Sequence, residues 1–413
     1  MAQSVVDALA LIFTQSAKTD RVIERFLKSQ RKWGSRDRKF FAESIFEIVR
    51  TARWLAHGAG IDKTPQAWTT QDFWSLWGAR VLSQGIALPQ WPELQNFRWI
   101  APAESVVRAI KHSLSDELDE IGFSECGSEW ESLITSLNHP AEVYLRANLI
   151  ATRPSDLQRK LSTEGIDAEI VDPEKPALRL LVRKNLTSTS CFKDGLFEIQ
   201  DLASQEVAPR VNPQAGETII DACAGGGGKS LHMATLMGNQ GRLIAMDISE
   251  RKLLALRERA RRNKIKIIET RRLESLGEET KTSPLEALYE QADRVLLDVP
   301  CSGSGVLRRN PDAKWRINRK ILHEVQQTQA RLLTEYSKMV KPGGLLVYAT
   351  CSIFPSENQN QIRQFLKKPT QSTDQLKLKQ TSWELISEQS CDPRLKDWDG
   401  FYIAVMKRRS GAT

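Results

Sequence analysis

The chain has 413 residues, 59 Lys and Arg against 51 Asp and Glu, a formal net charge of +8 and a pI near 9.1. This length exceeds what one hydrophobic core usually organises, so two or three domains are expected, and the basic balance suits a polyanionic partner or an acidic surface without choosing between them. The six cysteines are scattered, with no CxxC pair and no Cys/His cluster at zinc spacing, which argues against a disulfide framework and a structural metal.

The amino-terminal MAQSVVDALALIF carries Asp7 inside a short apolar stretch and has no basic run before it. No later segment approaches about 20 uncharged apolar residues. A soluble, unprocessed cytoplasmic protein without a membrane partner is expected.

Residues 1–140 read as helices: Val5, Val6, Leu9 and Ile12, then Val22, Ile23, Phe26 and Leu27, then Phe40, Phe41, Ile45, Ile48 and Val49 recur at helical spacing. Eight of the eleven tryptophans fall in this part, which marks it as a separately packed unit. Residues 25–41, RFLKSQRKWGSRDRKFF, carry seven basic side chains, one acid and Trp33. They read as a nucleic-acid footprint or as a solvated helix face over an ordinary core tryptophan.

Residues 141–210 alternate short segments, YLRANL, a helical stretch through Leu157 and Leu161, IDAEIV and LRLLV, which predict a small α+β subdomain. From 211 to 408 strand, loop and helix repeat: TIIDA and a helix from Lys229, LIAMD and ERKLLALRERARRN, RVLLD and a long helix, LLVYAT and another helix. Such alternation predicts a parallel sheet in a doubly wound α/β domain. The long helix places Ile317, Ile321, Val325, Leu332, Tyr336 and Val340 on one face, with KPGG as its stop. Residues 367–381 read as a mobile excursion before FYIAVMKR, a last strand.

DACAGGGGKS, residues 221–230, lies between a strand and a helix, where glycines bring the backbone close to a ligand and free N–H groups face it. A Walker A loop would need a glycine five positions before Gly228, where Cys223 stands. A nicotinamide fingerprint built on Gly225 and Gly227 would need its third glycine at Ser230. S-adenosylmethionine fits better, with Asp247 at the end of the second strand placed for a ribose diol.

Cys301 and Cys351 each follow an apolar strand, so a doubly wound sheet points both into the crevice where ligands bind. Two small buried hydrophobes are the plain alternative. The neighbours favour chemistry: Asp298 lies three residues before Cys301, Pro300 stiffens the turn, and Thr350 and Ser352 flank Cys351. Carbon 5 of cytosine is a poor nucleophile that gains electron density once a thiolate adds at carbon 6. A carboxylate near the ring's N3 and amino group stabilises the charge that develops.

Over residues 140–408 the chain resembles the Sun/RsmB type of RNA cytosine-5 methyltransferases, through FEIQDLASQ, DACAGGGGKS, MDISERKL, DRVLLDVPCSGSGVLRRNPDAKWR, YATCSIFPSENQ and DGFYIAVMKR. The resemblance implies a class I methyltransferase domain, S-adenosylmethionine as methyl donor, RNA rather than DNA as partner, and a monomer. It implies Cys351 as the nucleophile at carbon 6 and Cys301 as the residue assisting product release. Asp298 would contact the target cytosine and the cofactor region, and Lys229 would orient the base. Cys223, Ala224, Gly225, Gly226, Gly227, Gly228 and Lys229 would cradle the methionine end, Cys223 through its backbone. Asp247 would hold the ribose, and Glu274 is offered for the adenine.

The family's usual Ala-Pro-Gly-Gly stands here as Gly225 to Gly228, which predicts a looser empty loop. ENQ replaces the commoner Glu-Asn-Glu and reads as neutral. GSRDRKFFAESIFEIVR, residues 34–50, resembles the NusB-like RNA-binding domain of bacterial ribosomal members. That points to small-subunit ribosomal RNA, with transfer RNA second. A non-catalytic RNA-binding assembly factor is the alternative class, although Cys351, Asp298 and Lys229 are all present. A DNA cytosine-5 methyltransferase is disfavoured, because those enzymes place the nucleophile in the proline–cysteine turn alone.

Overall fold

The computed structural model describes residues 1–95, 97–273, 285–367 and 383–410. They form two compact units: unit 1 is Met1–Pro140 with Val306–Leu322, and unit 2 is Ala141–Gly305 with His323–Thr413.

Unit 1 is helical, with α1 (Ala2–Thr14), α2 (Thr19–Ser29), α3 (Ser35–Gly58), α4 (Thr70–Ser83), α5 (Arg108–Lys111), α6 (Asp116–Cys126) and α7 (Trp130–Leu137). The helically spaced Val5, Leu9, Ile12, Phe41, Ile45 and Ile48 converge in its core. Within the basic segment, Trp33 packs on Phe41 with ring centres 4.9 Å apart, and Arg38 donates to the carbonyls of Leu27, Gln30 and Trp33. Both therefore serve packing. Arg25, Lys28, Arg31, Lys32, Arg36 and Lys39 stay exposed.

Helix α3 breaks at Thr51, whose φ of −115° and ψ of 17° leave the helical region. The Trp54 N–H, which an unbroken helix would give to the Arg50 carbonyl, goes instead to Ser113 Oγ at 3.0 Å. Lys314 Nζ takes that freed Arg50 carbonyl at 2.6 Å, and Trp315 Nε1 donates to the Val49 carbonyl at 3.1 Å. Trp315 also meets Phe13 at 5.7 Å between ring centres. Residues 306–322, grouped by sequence with the methyltransferase span, thus belong to unit 1 because they fill a gap in a helix ladder there.

Unit 2 begins with a four-stranded antiparallel sheet of order β2-β3-β1-β4, formed by β1 (Tyr144–Ala147), β2 (Ala168–Ile170), β3 (Ala177–Leu180) and β4 (Phe197–Ile199). Helices α8 (Pro154–Thr163) and α9 (Ser190–Lys193) accompany it, and α10 (Leu202–Gln205) and α11 (Val207–Val211) lead out.

The larger sheet follows: β5 (Thr218–Asp221), α12 (Gly228–Leu236), β6 (Arg242–Asp247), α13 (Glu250–Arg262), β7 (Ile268–Arg272), β8 (Ala292–Asp298), α14 (Arg319–Tyr336), β9 (Val340–Thr350), α15 (Gln359–Lys367), β10 (Trp383–Cys391) and β11 (Phe401–Arg408). Its order is β10-β11-β9-β8-β5-β6-β7. Ile219, Leu243, Leu296 and Val347 fill the core on one face, and Ile220, Ile244, Leu297 and Leu346 fill the other. A sheet covered on both sides needs such continuous apolar strands.

The sheet is mixed rather than wholly parallel, because β11 pairs antiparallel with β9 and β10 pairs antiparallel with β11 at one edge. Strand β10, WELISEQSC, escaped the sequence reading because its side chains are mostly exposed or half-buried and show no apolar run. The long helix stops at Tyr336, and KPGG lies inside β9 instead of forming a helix stop. The excursion expected over 367–381 lies outside the described residues beyond Lys367.

Candidate active site

Strands β8 and β9 are parallel neighbours, with Asp298 opposite Ala349, so the loops leaving them emerge side by side. This places the half-buried Cys301 and Cys351 with their sulfurs 3.2 Å apart. Backbone contacts lock the two loops together: Gly305 N–H donates to the Cys351 carbonyl at 3.0 Å, and Gly400 N–H donates to the Gly305 carbonyl at 2.8 Å. A Cβ on Gly305 would stand 2.1 Å from the Gly400 carbonyl oxygen, which explains the glycine there.

Asp298, at the end of β8, pairs with Lys229 from the first turn of α12, with Nζ 2.7 Å from Oδ2. Burial pulls Lys229 down, but Asp298 and then Cys351 outweigh it, and its pKa is raised above the ordinary lysine value. The ammonium also lies 5.0 Å from the centre of the Phe401 ring. The Cys301 thiol is pushed well up by its hydrogen bond with Cys351, by burial, and by the negative charges of Cys351 and Glu357. The site therefore holds one proton-retaining thiol, one sulfur near a cation, and one carboxylate paired with that cation.

Gly225 and Gly227 of the loop from β5 to α12 adopt φ of +55° and +84°. Open space surrounds the Cβ position of Gly225, whereas a Cβ on Gly227 would stand 2.4 Å from Leu256. Asp247, at the end of β6, accepts Gly225 N–H at 2.9 Å and Ser249 N–H at 2.8 Å. The loop's carbonyls are tied from behind: Gly226 accepts from Arg259, and Gly228 accepts from Arg146 at 2.8 Å. The predicted looseness of the four-glycine loop thus meets two arginine tethers. The residues fit S-adenosylmethionine: the first N–H groups of α12 and the open space over Gly225 suit an amino-acid carboxylate, and Asp247 can accept from a diol.

Cys223 is half-buried, and burial pushes its thiol well above the ordinary value. Ala224 is buried in the core with the strands beneath it. Glu274, offered for the adenine, lies outside the described residues.

Sequence reasoning passed over two carboxylates. Asp221 is fully buried and accepts Ser230 Oγ–H at 2.6 Å; burial, foremost, raises its pKa to about 7. Glu357, from the ENQ read as neutral, is also fully buried. It accepts from Ser302 N–H at 2.8 Å, from Ser302 Oγ, from Ser352 Oγ at 2.6 Å and from Gln329 Nε2 at 3.0 Å. The available signal was a serine directly after each cysteine, both needing an acceptor once the turns close.

Residues 208–407 match the family described as 16S rRNA methyltransferase RsmB/F. The chain is 34% identical over 278 residues to the probable ribosomal RNA small subunit methyltransferase B of Bacillus subtilis, a stretch that is 65% of this chain and 60% of that protein. It is 33% identical over 323 residues to the protein of the same description in Synechocystis, covering 75% of this chain and 70% of the relative. In fold it is similar to the crystal structure of PH0851, with a TM-score of 0.78, 23% identity, and 98% of each chain covered. The chain spans about 60% of the length of the Bacillus relative. On these matches the chain belongs to the RsmB/F methyltransferase family.

Proposed function

We propose that the protein transfers a methyl group from S-adenosylmethionine to carbon 5 of a cytosine in RNA, through a covalent adduct of Cys351 at carbon 6. The pair of sulfurs beside the Lys229–Asp298 ion pair carries this reading. Relatives named as ribosomal RNA small subunit methyltransferases make small-subunit ribosomal RNA the favoured substrate.

The bound cofactor supplies an electrophilic methyl carbon on a sulfonium. The chain's residues prepare the acceptor. Lys229, whose charge acts on Cys351, stabilises its thiolate. The thiolate adds to carbon 6, and the displaced electron pair makes carbon 5 nucleophilic. Asp298 accepts from the ring's amino group and holds the base in place, and its partner Lys229 offsets the negative charge that the addition puts on the ring. Once carbon 5 is methylated and its proton has passed to water, the double bond re-forms and expels the Cys351 sulfur. Cys301, 3.2 Å away with its proton retained, hydrogen-bonds to the leaving thiolate.

The target base must be presented in a loop or unstacked to enter such a crevice. Bisulfite sequencing of RNA from cells lacking the protein identifies the cytosine. Cys351→Ala is expected to abolish that mark, and Cys301→Ala to leave RNA covalently held. An active Cys351→Ala protein together with an adduct-free Cys301→Ala protein would reverse the two roles.

A further inference from the structure

Glu357 is the acceptor at the centre of a closed set of bonds. Its donors are Ser302, adjacent to Cys301; Ser352, adjacent to Cys351; and Gln329. Gln329 Nε2 also reaches the Pro300 carbonyl at 3.0 Å, so the turn before Cys301 is tied on both sides. Ser304 Oγ lies 2.9 Å from Ser352 Oγ and accepts Ile353 N–H at 3.0 Å, closing the second side. Among the described residues no Lys, Arg or His pairs with this carboxylate. A buried charge held only by neutral donors is costly to keep.

We propose that Glu357 is a positioning residue of the reaction, a buried carboxylate that clamps the two cysteine turns and fixes the gap across which Cys301 and Cys351 share a proton. The proposal rests on Cys351 being the nucleophile. The clamp works by geometry, since each of its serines directly follows in the chain the cysteine it places. Its charge adds a second effect. Glu357 and Tyr348 face Cys301 on one side, and Lys229 with Asp298 lies toward Cys351 on the other. Negative charge beside Cys301 holds the proton on that sulfur, while the positive charge lies on the Cys351 side.

Two of the three readouts need neither RNA nor methyl donor. Dibromobimane bridges two close thiols, and iodoacetamide at increasing pH reports when Cys301 ionises; peptide mass spectrometry locates both products. Glu357→Gln is expected to slow bridging of Cys301 to Cys351 about tenfold and to lower methyl-transfer kcat about 100-fold with KM little changed. It should also move the Cys301 alkylation midpoint down by about one pH unit, and the loss in kcat without a change in KM separates this from a general loosening of the fold. Ser302→Ala keeps the Ser302 N–H bond and should give a smaller change in bridging. Unchanged bridging and an unchanged alkylation profile in folded Glu357→Gln would overturn the clamp; if that variant fails to fold, unchanged bridging in Ser302→Ala overturns it. A clamp that responds as expected in a protein that methylates no cytosine would sink the proposed reaction and leave the clamp standing.

Discussion

Two lysines, one in each unit, are taken out of water and shift in opposite directions. Lys314 is 1% exposed, and its Nζ donates to the carbonyls of Arg50 at 2.6 Å and His112 at 3.0 Å and to Asn138 Oδ1 at 2.8 Å. With no carboxylate among these partners, burial and then the charge of Arg50 push its pKa well below the ordinary value. Lys229 suffers the same burial, yet Asp298 and Cys351 raise it. Burial sets the penalty, and the charge of the partners decides the direction of the net shift. Lys314 uses its three N–H bonds to join α3, α5 and the end of α7. Lys229 keeps its charge aimed at a sulfur.

Removing each lysine separates the two roles. Lys229→Met is expected to lower methyl transfer about 1000-fold in the protein that remains folded, the loss of a charge at a reacting centre. Equal losses of activity and stability would erase the distinction. Lys314→Met leaves three buried oxygens without a donor and is expected to destabilise the helical unit by about 3 kcal/mol, read by denaturant titration. A variant as stable as the parent would show that the break in α3 needs no filling.

Asp221 sharpens the comparison from the acidic side. Its folded pKa of about 7 lies above the ordinary 3.8, so between those values the folded state holds more protons than the unfolded one. The sign follows: this group's stabilising contribution is complete below pH 3.8 and is lost as pH rises to about 7. Asp221→Asn should remove a slope of roughly 1.4 kcal/mol per pH unit across that window, so parent and variant stability profiles must converge or diverge there rather than run parallel. At the bottom of the scale stands Lys28, 74% exposed and paired with Glu24. Lys28→Ala should change stability by less than about 0.5 kcal/mol in the same titration.

Much of unit 2 was legible because buried parallel strands write continuous apolar runs, and TIIDA, LIAMD, RVLLD and LLVYAT became β5, β6, β8 and β9. Both cysteines were placed at strand mouths for the same reason. Their contact was not legible, since strand order is set by packing across the sheet: β8 and β9 are neighbours, although α14 lies between them in the chain. Glu357 was missed because PSENQ reads as an exposed polar turn, and only the closed loops bury it. The arginine tethers were missed because Arg146 and Arg259 come from separate elements that meet only behind the glycine loop. The motif DVPCSGSGVLRRNPDAKWR, one of the segments that carry the resemblance, is continuous in the chain. Its first part ends in the sulfur site, while Lys314 and Trp315 mend a broken helix in unit 1.

The account stands on a sulfur–carbon bond at residue 351. The direct measurement is to incubate the protein and S-adenosylmethionine with target RNA carrying 5-fluorocytosine, whose ring cannot lose a proton from carbon 5, then to digest the trapped complex and sequence the peptide that bears the nucleotide. The expected peptide carries the nucleotide on Cys351. The nucleotide on Cys301, or RNA recovered free of protein, would contradict it.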